Sequence, residues 1–281
     1  MITPDLTLIH LSDTHILPNE DDRLHGVDTM ANLRDALDLI ESRGLRPDGF
    51  IVTGDLADAG GVRSYERLRT VVQGMELRFG VRVVLTLGNH DKRDDFRAGY
   101  LGEAPPQMPY FHSLRIGGLR VIALDSSVPA APHGELDAAQ LDWLREELRS
   151  TAPLGTLLAF HHPPVPGPVP LINQPMLALR NPADLSAAIR GSDVGGILAG
   201  HVHHPTWAAL EGIPCASAAA TAYTVDPLAQ GSVIRGIEGP SFGLVQMYGR
   251  TMVSTAVTLP SMQRELVNHE VGFTRKDVNP D

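Results

Sequence analysis

The chain has 281 residues, 43% hydrophobic and 20% charged, enough for one large soluble α/β domain spanning residues 1–281. A formal net charge of −10 disfavours nucleic acid polymers and anionic membranes as partners, and 5% aromatic content leaves little for stacking single-stranded bases. Cys215 is the only cysteine, so an intrachain disulfide is excluded, and no apolar run is long enough to cross a bilayer.

Leu6–Ser12 reads as a buried strand stopped by Asp13. That early start leaves no room for a cleaved leader, and with the lone cysteine it makes a cytoplasmic location the expectation. Thr29–Arg43 carries Met30, Leu33, Leu37 and Ile40 at helical spacing, with Gly44 as a stop. Gly49–Thr53 is a short strand into Gly54-Asp55. Ser64–Phe79 is a second helix with Tyr65, Leu68, Val72 and Met75 on one face. Val81–Leu87 is a strand into Gly88-Asn89. Strand and helix alternate through this third of the chain, which predicts parallel strands with crossover helices.

Tyr110–Leu114 and Leu119–Asp125 form a predicted antiparallel pair around Gly117-Gly118. Leu136–Leu148 reads as an amphipathic helix, Gly155–Phe160 as a strand into His161, Ala183–Ile189 as a short helix, and Gly195–Ala199 as a strand into Gly200-His201. Trp207–Leu210, Ser241–Tyr248 and Met252–Leu259 are further strands with no helices between them. Residues 261–281 read as a polar C-terminal tail. The proline-dense segment Pro163–Pro182 has no periodicity and reads as a lid, a binding loop or a subunit contact. The layered arrangement is a four-layer α-β-β-α sandwich: helices outside two mixed sheets.

Five short blocks each follow a strand-like run: Asp13-Thr14-His15, Gly54-Asp55, Gly88-Asn89-His90-Asp91, His161-His162 and Gly200-His201-Val202-His203. Ligands collect at the carboxyl ends of parallel strands, so these blocks converge on one place. Alone, an Asp-x-His or a Gly-Asp after a strand is as well read as a turn or a cap. Together they supply carboxylates, imidazoles and one amide oxygen, and no thiolate. That donor set suits Mn²⁺, Fe or Zn²⁺ at a hydrolytic site better than a structural zinc site.

In this order the blocks resemble the signature of the calcineurin-like metallophosphoesterases, and more narrowly the bacterial class III cyclic-nucleotide phosphodiesterases. The supporting stretches are His10–His15, Thr53–Asp58, His161–Pro164, Leu198–His203 and Ala220–Thr224. The resemblance implies a metallophosphoesterase fold and two divalent metal ions. It assigns Asp13, His15 and His203 to one ion, Asn89, His161 and His201 to the other, and Asp55 to both.

It also implies phosphodiester hydrolysis, with cyclic nucleotides leading and a glycerophosphodiester or broader phosphodiester hydrolase as the alternative. In that chemistry two ions roughly 3.5–4 Å apart clamp the attacking and leaving oxygens, and a bridging hydroxide attacks phosphorus in line. Two divalent ions, two carboxylates and one hydroxide leave a single positive charge. A diester neutralises that charge, whereas a monoester overshoots it, so a phosphatase comes third.

His90 is expected to face the phosphoryl group, either protonating the departing alkoxide or orienting a neighbour. Asp58 either bonds a metal-bound water or caps the next helix. His133 either approaches the substrate, as similar stretches do, or is a loop histidine. His162 is expected either to be structural or to support a metal ligand from behind, and His10, His25, His112 and His204 carry no assignment. A scaffold that kept the fold but lost turnover should have lost ligands or His90, and both are retained. A nuclease would need an added nucleic-acid domain. Similar enzymes are dimers, so a homodimer is possible here.

Overall fold

A computed structural model describes residues 2–104, 108–262 and 264–270. In the first third, β1 (Leu6–Leu11), α1 (Thr29–Ser42), β2 (Gly49–Thr53), α2 (Val62–Phe79) and β3 (Arg82–Thr86) alternate as predicted. A helical turn α3 (Arg93–Phe96) continues as one turn of π-helix (Arg97–Leu101). Next come β4 (His112–Ile116), β5 (Leu119–Ala123), the small hairpin β6 (Ser127–Val128) and β7 (Ala131–Gly134), and α4 (Ala138–Glu147). They are followed by β8 (Thr156–Ala159), α5 (Pro182–Ile189), β9 (Val194–Ala199), β10 (Thr206–Leu210) and β11 (Ile213–Ser217). The chain continues through β12 (Thr224–Val225), β13 (Val233–Ile237), β14 (Ser241–Tyr248), β15 (Thr251–Thr258) and β16 (Glu265–Glu270).

One sheet has the order β15-β14-β1-β2-β3, and the second β10-β11-β9-β8-β5-β4. β1, β2 and β3 are parallel, and so are β5, β8, β9 and β11. β14, β4 and β10 run antiparallel to these, and β15 pairs antiparallel with β14, so both sheets are mixed.

Side-chain alternation builds the layers. Along β1, Leu6 and Leu8 point between the sheets, where they meet Val121, Leu157, Leu198 and Val245. Ile9 and Leu11 point the other way, into a core shared with Leu33 and Leu37 of α1 and Leu68 and Val72 of α2. On the far side, Ile122, Leu158 and Ile197 pack on Leu141 and Leu144 of α4 and Leu185 of α5. The result is the predicted α-β-β-α sandwich.

Boundaries differ where capping decides them. α4 begins after Asp137, whose carboxylate accepts from Gln140 N, so Leu136 and Asp137 lie outside the helix. The region after Ser261 is not only a polar tail: β16 pairs antiparallel with β13 to form a small sheet with β12. The sequence reading missed β11 and β13, because Pro214 and the glycine-flanked Val233–Ile237 run weaken the local strand signal. The rest of the predicted tail, 271–281, lies outside the described residues.

Candidate metal centre

The five blocks sit directly beyond β1, β2, β3, β8 and β9. Register brings them level: Thr53 pairs with Thr86 and Ala159 with Leu198. Beyond the ladders, Asp13 N donates to Gly54 O (3.0 Å), His15 N to Asp55 O (2.9 Å) and Gly200 N to His161 O (2.9 Å). Asp13, His15, Asp55, His201 and His203 all adopt positive φ, between 43° and 70°. Each such non-glycine conformation costs about 1–3 kcal/mol and persists only where its surroundings fix it. Here it turns the chain sharply at the strand end and aims side chains inward.

Two glycines admit the close packing. A Cβ on Gly54, itself at φ +81°, would lie 2.6 Å from His161 Nδ1. One on Gly200 would lie 2.8 Å from Asp13 Oδ2.

Two groups of ligand atoms share Asp55. In the first, His203 Nε2 lies 3.2 Å from Asp13 Oδ1 and 3.2 Å from His15 Nε2, and His15 Nε2 is 3.8 Å from Asp55 Oδ2. In the second, His161 Nε2 lies 3.3 Å from Asp55 Oδ2 and 3.1 Å from Asn89 Oδ1, while His201 Nδ1 is 3.0 Å from the same Asn89 oxygen. The structure thus gathers all seven predicted ligands. Asp13, Asp55, His15 and His161 are buried, and Asn89 and His201 are partly open.

Tautomers test whether cations fit. His15 Nδ1 faces Asp58 Oδ1 (3.1 Å), His161 Nδ1 the Thr53 carbonyl (2.8 Å) and His203 Nδ1 the Tyr223 carbonyl (3.1 Å). Each carbonyl or carboxylate can only accept, so each Nδ1 donates and each Nε2 keeps a lone pair. His15 and His203 therefore aim lone pairs at one another, and His161 aims one at two oxygens. Acceptors converging in this way repel one another unless a cation lies between them, and backbone-fixed imidazoles are the usual surroundings of a metal ligand. The donor set fits two divalent ions.

Without a cation, charge compensation falls to protons. Burial alone would raise the Asp13 carboxyl, but His203 and His161 outweigh it and hold it at about 2. Burial would lower His161, but Asp55 and Asp13 raise it to about 9. Burial takes His201 down to about 3, assisted by the charge on His161.

The surrounding groups were less legible in sequence. Behind Asp13 runs a buried relay: His10 Nε2 to Thr53 Oγ1 (2.8 Å), Thr53 Oγ1 to Ser12 Oγ (2.8 Å), and Ser12 Oγ to the Asp13 carboxylate (2.5 Å). Asp91 braces the Asp55 turn. Its carboxylate accepts from Gly88 N (2.9 Å), Leu56 N (3.0 Å), Ala57 N (3.1 Å) and Tyr65 Oη (2.9 Å), and burial together with nearby Asp55 raises its pKa to about 6. An acidic residue closing the Gly-Asn-His-Asp block was the available signal.

Asp58 sits behind His15, and the hydrogen bond from His15 lowers its pKa. It does not cap α2, whose N-cap is Gly61. His90 N donates to Asp55 Oδ1 (2.9 Å), and its ring stands edge-on to His15 with the side chain 43% exposed. Its Nδ1 meets the Asp58 carbonyl, which leaves Nε2 as the available nitrogen.

His162 is held by Ser126 Oγ at Nδ1 (2.9 Å) and by the Pro132 carbonyl at Nε2 (3.2 Å), with its ring 4.6 Å from that of His201. His133 lies buried on β7 with Arg180 and Glu135 as charged neighbours. Its neighbour Gly134 packs on the His162 ring. Tyr223, within the Ala220–Thr224 stretch that shares in the family resemblance, packs its ring 4.6 Å from His203.

A family model described as Calcineurin-like phosphoesterase matches residues 6–205. The chain is 43% identical over 258 residues to a cAMP/cGMP dual specificity phosphodiesterase of Mycobacterium tuberculosis, covering 91% of this chain and 80% of that protein. It is 42% identical over 257 residues to a probable cyclic nucleotide phosphodiesterase of Rhodococcus erythropolis, covering 91% and 84%. Among solved structures, a dimetal phosphatase from Danio rerio superposes with a TM-score of 0.64 at 15% identity, over 91% of this chain and 99% of that one, a likeness of fold.

Proposed function

Since the chain belongs to the calcineurin-like phosphoesterase family, we propose that it hydrolyses the phosphodiester of 3′,5′-cyclic nucleotides at the Asp55-centred site. Asp13, His15 and His203 would hold one divalent cation, and Asn89, His161 and His201 a second, with Asp55 shared and Mn²⁺, Fe or Zn²⁺ as the ions. Bound there, the cations supply Lewis acidity: they neutralise phosphoryl charge and acidify a water toward neutral pH.

The protein's own groups do the rest. The Nδ1 bonds of His15, His161 and His203 hold each imidazole with Nε2 inward, so no ring has to turn when a cation binds, and His161 gives up its Nε2 proton as it does. Burial would lower the His90 pKa, but Asp55 and the Asp58 carbonyl outweigh it and raise it, which favours the imidazolium. In that form Nδ1–H stays on the Asp58 carbonyl while Nε2–H passes to the ester oxygen as the P–O bond breaks, so the proton ends on the alkoxide and His90 is left neutral. Asp58 holds His15 in register. His133 is assigned to the substrate side through its β7 hairpin.

The observation that carries the reading is the sharing of Asp55 between two groups of converging acceptors. The similar phosphodiesterases of Mycobacterium tuberculosis and Rhodococcus erythropolis supply the substrate class. Among the described residues no helix is long and apolar enough to cross a membrane. A cytoplasmic enzyme acting on a small diester, and forming a homodimer, completes the proposal.

The test strips the protein with chelator, restores Mn²⁺, Fe²⁺ or Zn²⁺, and follows cyclic AMP beside p-nitrophenyl phosphate. Metal-restored cleavage of the cyclic diester, lost by at least ~100-fold in Asn89→Ala, is expected. Preference for the monoester would make the protein a phosphatase instead.

A further inference from the structure

A cavity of about 140 Å³ lies between the Pro163–Pro182 loop and the turn carrying His201. His201 and Val202 form one wall; Pro164, Pro166, Ala178 and Leu179 form much of the other. His201 also faces Asn89 through Nδ1 at 3.0 Å, so one imidazole borders both the proposed metal site and the cavity. An apolar cavity of about 150 Å³ accommodates one benzene ring. At about 140 Å³ this one takes a single ring, so one ring of a base enters it while the rest of the nucleotide stays outside.

The loop is a built wall. Asn173 Oδ1 accepts from Gly167 N and Asn173 Nδ2 donates to Gly167 O, both at 2.8 Å, which closes the 167–173 segment. Gly134 N donates to Ala178 O (3.1 Å) and Arg180 N to Gly134 O (2.8 Å), tying the loop to the β6–β7 hairpin. Val169, Leu171 and Ile172 are buried against Val202 and Val225. Prolines fix their own φ and carry no amide N–H, so this wall presents rigid apolar faces. A cavity preformed in this way costs little ordering when it is filled.

Its chemistry selects the occupant. No charged carboxylate, lysine or arginine lines the cavity, so the phosphoryl group has no partner there. Asn173 is turned toward Gly167 through both Nδ2 and Oδ1, and the rest of the lining is mostly proline and aliphatic, so the cavity offers chiefly ring contact. We propose that this cavity is the subsite for the nucleobase of the substrate, reading its face rather than its hydrogen-bonding edge. The proposal rests on the cyclic-nucleotide reading above.

Ala178→Phe would fill the space, with kinetics measured on cyclic AMP and cyclic GMP beside melting temperature and metal content. The expected result is a KM raised at least ~10-fold for both nucleotides with kcat moved less than about threefold, the pattern of lost ground-state binding. A KM within about twofold of wild type, with melting and metal content retained, overturns the subsite alone. A wild-type protein that does not turn over cyclic nucleotides overturns the functional reading and the subsite with it.

Should the variant fail to fold, photolabelling of the wild-type holoenzyme with 8-azido cyclic AMP decides instead. Label on the 163–182 peptide supports the assignment. Label elsewhere, competed by cyclic AMP, sinks it.

Discussion

At the scale of the residue, the centre depends on which nitrogen each imidazole presents. His15, His161 and His203 are fixed through Nδ1 by a carboxylate or a carbonyl and present Nε2, whereas His201 presents Nδ1. The sequence named these histidines but could not name the atom, because the partners Thr53, Asp58 and Tyr223 come from other segments of the chain. His90 differs from the others in being half-exposed and anchored only at Nδ1. If Nε2 protonates the leaving group, its value depends on how much that group needs a proton. His90→Gln is expected to lower kcat on cyclic AMP by ~10²–10⁴-fold. It should lower kcat far less on bis-p-nitrophenyl phosphate, whose nitrophenolate leaves without a proton. Equal losses on both substrates would remove His90 from the acid role and leave it a charge-stabilising one.

At the scale of the element, strand ends carry the chemistry and glycines let them meet. Gly54 combines two constraints: φ of +81° and a Cβ position 2.6 Å from His161 Nδ1. Gly26 has the same kind of backbone, φ +82°, with nothing within 4 Å of its Cβ position. Alanine at Gly26 therefore measures the backbone cost alone, about 1–2 kcal/mol. Gly54→Ala adds displacement of His161, so it should lower melting further and reduce bound metal, read by elemental analysis. A Gly54→Ala protein no less stable than Gly26→Ala, with full metal, would show that His161 is free to shift.

The elements were read well where periodicity was strong, as in α1, α2 and β1–β3. β13 and β16 were missed because their pairing lies thirty or so residues apart and neither run has the apolar alternation of a core strand. The 163–182 loop gave no periodic signal because its order comes from proline geometry, from Asn173 bonding back to Gly167 within the loop, and from Val169 and Leu171 packing on Val202 and Val225.

At the scale of the whole molecule, burial sets the pH response. His10 lies buried with its pKa lowered to about 3, and His204 with its pKa lowered to about 4, in both cases chiefly by desolvation. Both are neutral in the fold, and both take up a proton near pH 6.5 once unfolded. Below that pH the unfolded chain binds more protons, so stability falls by about 1.4 kcal/mol per pH unit for each such proton, until the folded pKa is reached. Asp91, raised to about 6, pulls the other way over the narrower span down to its ordinary carboxylate value. The histidines prevail. Urea unfolding of the protein should show stability dropping from pH 6.5 toward pH 4, and His204→Phe should flatten that slope. A profile level across this range would mean that these rings find proton partners in the fold.

The sequence by itself determined the layers and the donor set. Apolar alternation and helical spacing are local patterns, and five metal-binding blocks each follow a strand that must end somewhere. With strand ends aligned by parallel pairing, convergence followed from connectivity alone. Tertiary structure decided what depends on contacts between distant residues. His15 meets His203 across 188 positions and His161 meets Asn89 across 72, so the division into two groups, which the family resemblance implied, acquires its contacts only in the fold. The same holds for the His10–Thr53–Ser12 relay, the Asp91 brace and the cavity beside His201. Each depends on where a buried polar atom finds its partner or where two surfaces leave a gap, and both are set by packing in three dimensions rather than by neighbours along the chain.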